Sequence, residues 1–485
     1  MAPQKLIDYE RRRIENIKRN DEMLASLQVH SKINELSAAT KRQRVQRTEK
    51  KSKTEAPIVV RQSLRTRGMQ PDPSTAGGLK DESVDILKVY KLRIKKSPRE
   101  SGPLSMKDAY DGTTSDRKLI ETILGVSNKS HLSSIEGIDG GSCNSIVGVL
   151  ENENFRYPSR VRGSVDLGSL KLEEKNIARV VPGRILALRF FPSTDMKMIS
   201  VGNNFGYVGF WNVDSIKEDG DGIYRYHPHS GPVSGIVIQP FCLSKMFTCG
   251  YDGFIQLMDV EKEAFDLVYS GDHPIFSVSQ RPNDVRSLYF SEGRGRGQLH
   301  TLDERAGKSS TSWTLHEDRI NTIDFNSENS NIMATSSTDG TVCIWDLRHI
   351  DADKPKSLKT VSHKKSVYSA YFSPSGSCLA TTSGDDEVGL LSGANYEDTS
   401  VIYHYNRKGL WYYTFRAIWG WDDSYIFTSN KKGGVDVIST AERSVVTLES
   451  PYVSSIPCRF DAHPYEVGML AWATIGSHVY LWTSC

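Results

Sequence analysis

No stretch of this 485-residue sequence approaches the ~18 consecutive apolar residues of a membrane-crossing helix. A membrane span, and a membrane as partner, are therefore not expected. Met1 to Glu10 contain no apolar core of the kind a secretory signal needs. Cysteine is sparse, seven residues (143, 242, 249, 343, 378, 458 and 485), odd in number and with no CxxC pair. That argues against a disulfide framework or a zinc module and fits a reducing compartment. Catalytic signatures are missing too. Gly307-Lys308-Ser309 has Leu302 where a phosphate loop needs its first glycine. HExxH, GxSxG and GxGxxG do not occur, and the RGRG at Arg294 to Gly297 reads as a turn between strands. No enzyme, catalytic residue, cofactor or metal site is expected.

What is there is polar and unevenly charged. Hydrophobic residues make up 38% and the mean hydropathy is −0.44, which points to a disordered portion. The 38 glycines and 9% aromatics fit a β-rich remainder. Residues 1–100 hold 24 Lys and Arg against 13 Asp and Glu, whereas the rest hold 37 against 46. A basic tail on an acidic body suits a polyanion or a transport receptor.

Three regions follow from this. Residues 1–40 read as a helical segment, with Ile14, Ile17, Leu24 and Leu27 at helical spacing among Arg11, Arg12, Arg13, Lys18 and Arg19. It is either a solvated helix packing on the body or one that docks into a partner groove. Residues 41–175 read as a basic, disordered linker. Its 41–67 stretch carries ten basic and two acidic residues, and is a nuclear localisation signal, a DNA arm or a plain linker. Between 68 and 175 no domain can be placed. Residues 176–485 carry an internal repeat.

The template for that repeat is Asp339 to Asp346, DGTVCIWD. Trp345 has counterparts at Trp211, Met258, Leu302, Leu391, Ile438 and Trp482, at intervals of 43 to 47 residues. Glycine stands five positions earlier in five units (Gly206, Gly253, Gly297, Gly340, Gly433), with Asp386 and Ser477 in the others. A histidine precedes the strand start in three units: His229 before Val233, His316 before Ile320 and His363 before Val367. A period near 45 with a His near its start and Trp-Asp at its end is the WD-repeat signature. The glycine serves a tight turn, His and the turn Asp form a buried polar pair, and the Trp fills the space between blades. The expected fold is all-β: a seven-bladed WD-repeat propeller with a basic, partly helical and largely disordered N-terminal extension. Blade seven lacks an outer strand after HVYLW, so that strand is expected from Asn176 to Val181.

A propeller offers two faces. On the face of the blade-start histidines lie Arg184, Arg319, Lys364 and Lys365, a ring suited to phosphates or ordinary surface charge. Between blades five and six, His404 to Trp421 is longer than its equivalents and holds Arg407, Lys408, Gly409, Leu410 and Trp411. Its cations can hold phosphates and its apolar tip can wedge into a base stack, or Trp411 and Tyr413 can pack over the central channel. On the opposite rim, Trp345-Asp346-Leu347-Arg348 and the partial copy Leu302-Asp303-Glu304-Arg305 put guanidiniums where they meet a partner carboxylate or their own aspartate.

These residues carry a resemblance. The box at Trp345, Asp346 and Arg348, after the small run Ala334 to Ser337, resembles that of propellers recruiting substrates to cullin-4 RING ubiquitin ligases. The loop NRKGLWYYTFRAIW, the segment Tyr9 to Leu27 and the patch Arg61 to Gly68 resemble the WD repeat-containing protein 76, or changed-mutation-rate, family. That family is related to the small subunit of the UV-damaged-DNA-binding complex, whose equivalent hairpin enters DNA at a lesion. The resemblance implies a nuclear protein that binds double-stranded DNA, damaged DNA preferred, through Arg184, Arg319, Lys364, Lys365, Arg407, Lys408, Leu410 and Trp411. It also implies docking to the cullin-4 adaptor, the large damaged-DNA-binding subunit, through Asp303, Arg305, Trp345, Asp346 and Arg348. The tip Lys408-Gly409-Leu410-Trp411 departs from the aromatic-glutamine-histidine tip of the lesion reader, and Asp318 stands where that protein is basic. The other reading is a chromatin-associated scaffold that binds chromatin proteins and owes its DNA affinity to the 41–67 tail alone.

Overall fold

The computed structural model describes residues 103–134 and 160–485 apart from short breaks, the longest at 405–414 and 304–308, together with Glu15, Lys18, Arg19 and Glu22. The chain divides into two units, 1–80 and 81–485. In the first, those four described residues are helical and exposed. The apolar positions expected on that helix, and the 41–67 basic stretch, lie outside the described residues.

The second unit is a ring of seven antiparallel sheets. Their inner strands begin at Ile185, Val233, Ile275, Ile320, Val367, Ile418 and Pro457. Within a blade the register fixes which end is which. Ile320 pairs with Ser337 and Ile332 with Asp346. The start of an inner strand and the turn between second and third strands therefore share one face, called the upper face below. The end of the third strand lies on the lower face. All seven repeat positions, Trp211 to Trp482, are the penultimate or near-penultimate residues of third strands, and all are buried.

The turn position explains the two units without glycine. Gly206, Gly253, Gly340 and Gly433 have φ between 83° and 100°, and Asp386 (67°) and Ser477 (75°) occupy the same left-handed region. In these six units the turn takes that conformation whatever residue fills it, at a steric cost to the two that carry a Cβ, while Gly297 of blade three does not adopt it.

The buried histidines bind what the repeat predicts. Trp345 donates its indole N–H to Thr335 Oγ1 at 2.8 Å, Thr335 lies 2.7 Å from His316 Nε2, and His316 Nδ1 is 3.1 Å from Asp339. In blade two, His229 joins Asp252 (3.0 Å) to Thr248 (2.9 Å) in the same way. A fourth pair, His404 with Asp436 at 2.5 Å, escaped the repeat reading because the inserted loop separates His404 from its blade.

The ring closes through an antiparallel sheet assembled from distant parts of the chain. Leu170–Arg179 pairs with His478–Ser484, with a bulge between Leu172 and Ile177. The closing strand thus starts six residues before the expected Asn176. Blade six opens with a short strand, Ile418–Trp419, slightly later than the expected Phe415. Cys249, Cys343, Cys378 and Cys458 are free thiols, while Cys242 is disulfide-bonded.

Residues 103–134, where sequence placed no element, wrap the outside of blades one and two. Leu104–Ser105 adds a fifth strand to blade two, pairing with Ala264 and Phe265. Helix α1 (Met106–Ala109) is capped by Ser105, and helix α2 (Arg117–Ser134) follows. Leu119, Ile120, Ile123 and Val126 recur at helical spacing and pack with Met106 and Ala109 on Phe210, Tyr226 and Phe265. The Tyr226 hydroxyl donates to Asp116 at 3.0 Å. This clip covers sheet edges that would otherwise offer unpaired backbone groups.

Candidate nucleic-acid interface

The upper face collects the expected cations. Arg184 directly precedes the inner strand of blade one; its N–H is accepted by Asn204 Oδ1 at 3.0 Å, and its carbonyl accepts from Asn204 N. Arg319 precedes the inner strand of blade four. Its guanidinium lies 4.7 Å from the centroid of Phe276 and donates from Nε to Asn321 Oδ1 at 3.0 Å. Ring and amide hold the group in one pose, a cation–π contact that leaves the charge partly exposed. Lys364 and Lys365 are exposed at the start of blade five. Backbone links tie these positions together: Thr338 N donates to the Arg319 carbonyl, and Ser366 Oγ donates to the Thr338 carbonyl. Arg319, Lys364 and Lys365 thus belong to neighbouring turns of one rim.

Lys364 is not wholly available. Its ammonium lies 3.3 Å from Glu387, a pair that raises the lysine above its ordinary range. That ion pair is exposed on the lysine side and weak by nature.

Arg407, Lys408, Leu410 and Trp411 lie outside the described residues. Both flanks of their loop are described, however. His404 follows the outer strand of blade five, and Phe415 precedes the inner strand of blade six. Both of these chain positions belong to the upper face. From His404 to the turn glycine Gly433 the sequence runs 29 residues, against 24 from His229 to Gly253 and from His316 to Gly340.

Three features of this face were not anticipated. Phe205, at the tip of the Asn203–Gly206 turn, is 54% exposed and sits against Gly183, the residue before Arg184. Its carbonyl contacts His227 Nε2 at 3.0 Å, and His227 stacks on Tyr207 at 4.3 Å between centroids. The signal was an aromatic at a turn tip, where asparagine, glycine or aspartate normally stands. The second and third features are Arg416 and Arg459. Arg459 stands where blades one to five carry the small residues Ala187, Gly235, Ser277, Thr322 and Ser369, within the inner strand of blade seven, and Arg416 stands two residues before the blade-six inner strand.

On the lower face the rim reads differently from expectation. Trp345 is buried between blades, with its indole N–H bonded to Thr335 inside the blade. Arg348 is 56% exposed, but its fork is bidentate on its own Asp346, Nε at 2.9 Å and Nη2 at 2.7 Å. That contact, with a backbone N–H from Arg348 and His349 beside it, holds the Asp346 carboxyl well below the usual range. Asp303 ends the third strand of blade three and is half-buried, while Arg305 lies outside the described residues. The structure therefore keeps Asp346 and Arg348 together as an internal pair on this rim.

One cluster has the composition of a metal site. Ligand atoms of His363, Asp385 and Glu387 lie within 4.8 Å of one another. Each is already engaged: His363 with Thr381 and Ser383, Asp385 with the Lys364 N–H, Glu387 with the Lys364 ammonium. Burial lowers the His363 pKa. The cluster is the blade-five form of the histidine network.

The comparisons with known proteins agree with this architecture. The family model for the WD domain, G-beta repeat, matches residues 307–346 and 355–390, which span blade four and much of blade five. The chain is 26% identical to WD repeat-containing protein 76 of Xenopus laevis, over 85% of this chain and 69% of that protein. It is 25% identical to DNA damage-binding protein cmr1 of Neurospora crassa, over 99% of this chain and all of that protein. With DNA damage-binding protein CMR1 of Scheffersomyces stipitis it shares 27% identity over 71% of this chain and 70% of that protein. The resemblance read from short motifs thus extends along the whole chain.

Proposed function

We propose that this WD-repeat propeller, a relative of proteins named for binding damaged DNA, is a nuclear DNA-binding protein that prefers damaged duplexes. It acts by binding and carries out no chemistry of its own. The observation behind this reading is the upper face, where Arg184, Arg319, Lys364 and Lys365 share a rim with an exposed aromatic. Cations hold phosphates in a sequence-independent way and lose affinity as salt rises. An exposed ring stacks on any base and does so at least cost where the stack is already broken. Arg407, Lys408, Leu410 and Trp411 are proposed to add to the same surface.

The test is competition binding of the full chain with intact and UV-irradiated duplexes near physiological salt. Tighter binding to the irradiated duplex is the expected result; equal affinity favours the chromatin scaffold. Phe205→Ala is expected to weaken binding to the irradiated duplex about tenfold, the value of one stacked base. Its melting temperature should stay near that of the wild type, because the ring is mostly outside the core. Unchanged affinity would remove Phe205 from the interface.

A second reading concerns the lower rim. Arg348 is half-exposed there beside the exposed His349, which favours docking to the cullin-4 ligase adaptor through Asp303, Arg305, Asp346 and Arg348. Arg348→Ala is expected to abolish co-purification of the adaptor while leaving DNA affinity intact. Full recovery of the adaptor with that variant excludes the rim as its dock.

A further inference from the structure

The central channel is lined by the inner strands, and its charge is divided. Toward the lower face, Asp324 accepts the Phe372 N–H at 2.8 Å and Asp461 accepts the Phe190 N–H at 2.7 Å, each bridging to another blade's inner strand. Arg189 lies 3.6 Å from Asp461. Burial raises both carboxyls, Asp324 to about 6.

Toward the upper face the channel holds guanidiniums instead. Arg459, from blade seven, is buried and donates from Nε to the Leu186 carbonyl of blade one at 2.6 Å and from Nη1 to the Cys458 carbonyl at 2.7 Å. Arg416, from the start of blade six, donates from Nη2 to the Asn321 carbonyl of blade four at 3.1 Å. A side chain rooted in blade six that reaches a blade-four inner strand lies across the channel mouth. Among the described residues its buried Nε has no partner. Arg184 enters from blade one. The strongest neighbouring influences on Arg459 include both other arginines, and with burial they pull it down to about 9. It stays a cation at neutral pH, in a place that disfavours one.

We propose that Arg184, Arg416 and Arg459 form a phosphate-binding site at the upper mouth of the central channel. Backbone carbonyls fix two of the guanidiniums, so the cluster is held together without an anion and gains from one. A phosphate, whether a backbone diester with one charge and two free oxygens or a terminal group with close to two charges and three, offers tetrahedrally placed acceptors that suit three converging guanidiniums better than a planar carboxylate does. That the phosphate comes from a DNA strand rests on the reading above; the site itself does not. The alternative source is a free phosphate compound.

The experiment is thermal melting of the full chain titrated with sodium pyrophosphate, against sodium chloride at matched ionic strength. The expected result is a saturable rise of about 2–4 °C. Arg416→Gln, which keeps an N–H for the Asn321 carbonyl, should lose most of that rise. Arg459→Met should lose it too, and if that variant fails to fold, Arg416→Gln still decides. No rise in the wild type, or an undiminished rise in Arg416→Gln, overturns the site. Displacement of a 5′-phosphorylated duplex by pyrophosphate assigns the phosphate to DNA. Simultaneous binding of both assigns it to a free phosphate compound. A pyrophosphate response without any duplex binding leaves the site standing and sinks the DNA reading.

Discussion

Asp252→Ala is expected to cost about 3–5 kcal/mol of stability, the usual penalty for leaving one partner of a buried pair alone. Asp252 and His229 are almost fully buried, and Asp252 has three partners: His229 Nδ1, which lies near both of its oxygens, the Ser230 N–H and the Phe254 N–H. Removal orphans the ring and two backbone donors of the turn. Asp252→Asn, which keeps the shape and one acceptor, should cost less. Urea unfolding followed by tryptophan fluorescence measures both, and a cost under about 1 kcal/mol for the alanine variant would show the network to be dispensable.

The same pair sets a pH dependence. Burial pushes the Asp252 carboxyl up, but His229 and the backbone N–H groups pull it further down, so its folded pKa lies below the unfolded value. Such a group stabilises the fold above the unfolded pKa, near 4, and the contribution is lost as pH falls toward the folded value. Asp339 and Asp436 are lowered in the same way beside His316 and His404. Acid unfolding should therefore begin below about pH 4, and Asp252→Ala should lose stability less steeply there than the wild type.

The largest functional effect is expected from neutralising the rim. Arg319→Gln, Lys364→Gln and Lys365→Gln in one chain should lower affinity for duplex DNA about 100-fold near physiological salt. Each phosphate contact contributes about 0.9 to the slope of log affinity against log salt, so the slope should fall by about two to three. Loss should be similar for intact and irradiated duplexes, because phosphates carry no lesion information. None of the three side chains is in the core, so melting should change little. A triple variant with full affinity and an unchanged slope would move DNA binding off this face. Arg319 is the most demanding of the three, since its ring contact and its bond to Asn321 pre-pay the ordering of the side chain.

The ring was legible because its repeat is spelled at positions where geometry allows few residues. The penultimate site of each third strand must be large or branched and buried, and in six of the seven units the turn must accept a positive φ. Asp386 and Ser477 kept their register even without glycine. The clip was not legible. Leu104 to Val126 has too little apolar surface to form a unit alone, and its helix is settled by Phe210, Tyr226 and Phe265, which lie 80 or more residues away. Arg459 and Arg416 were hidden for the same reason: which residues meet across a channel depends on blades distant in sequence. A motif names Trp345 without saying which way its ring points, and the structure buries it between blades. A cut at residue 176, which sequence alone suggests, would remove Leu170 and Leu172 from the closing strand along with the clip. A propeller fragment should therefore start no later than residue 103.

The closing strand also imposes an order on synthesis. Leu172 faces Trp482, so its partner emerges from the ribosome roughly 300 residues later, about 15–60 s at ordinary elongation rates. Throughout that interval Leu170–Arg179 lacks its partner strand, and the blades made so far can only stack as an open arc with an unpaired edge at each end. The last pairing is thus among the longest-range contacts in the chain and the slowest to form. A nascent ring of this kind depends on being shielded until its seam is complete.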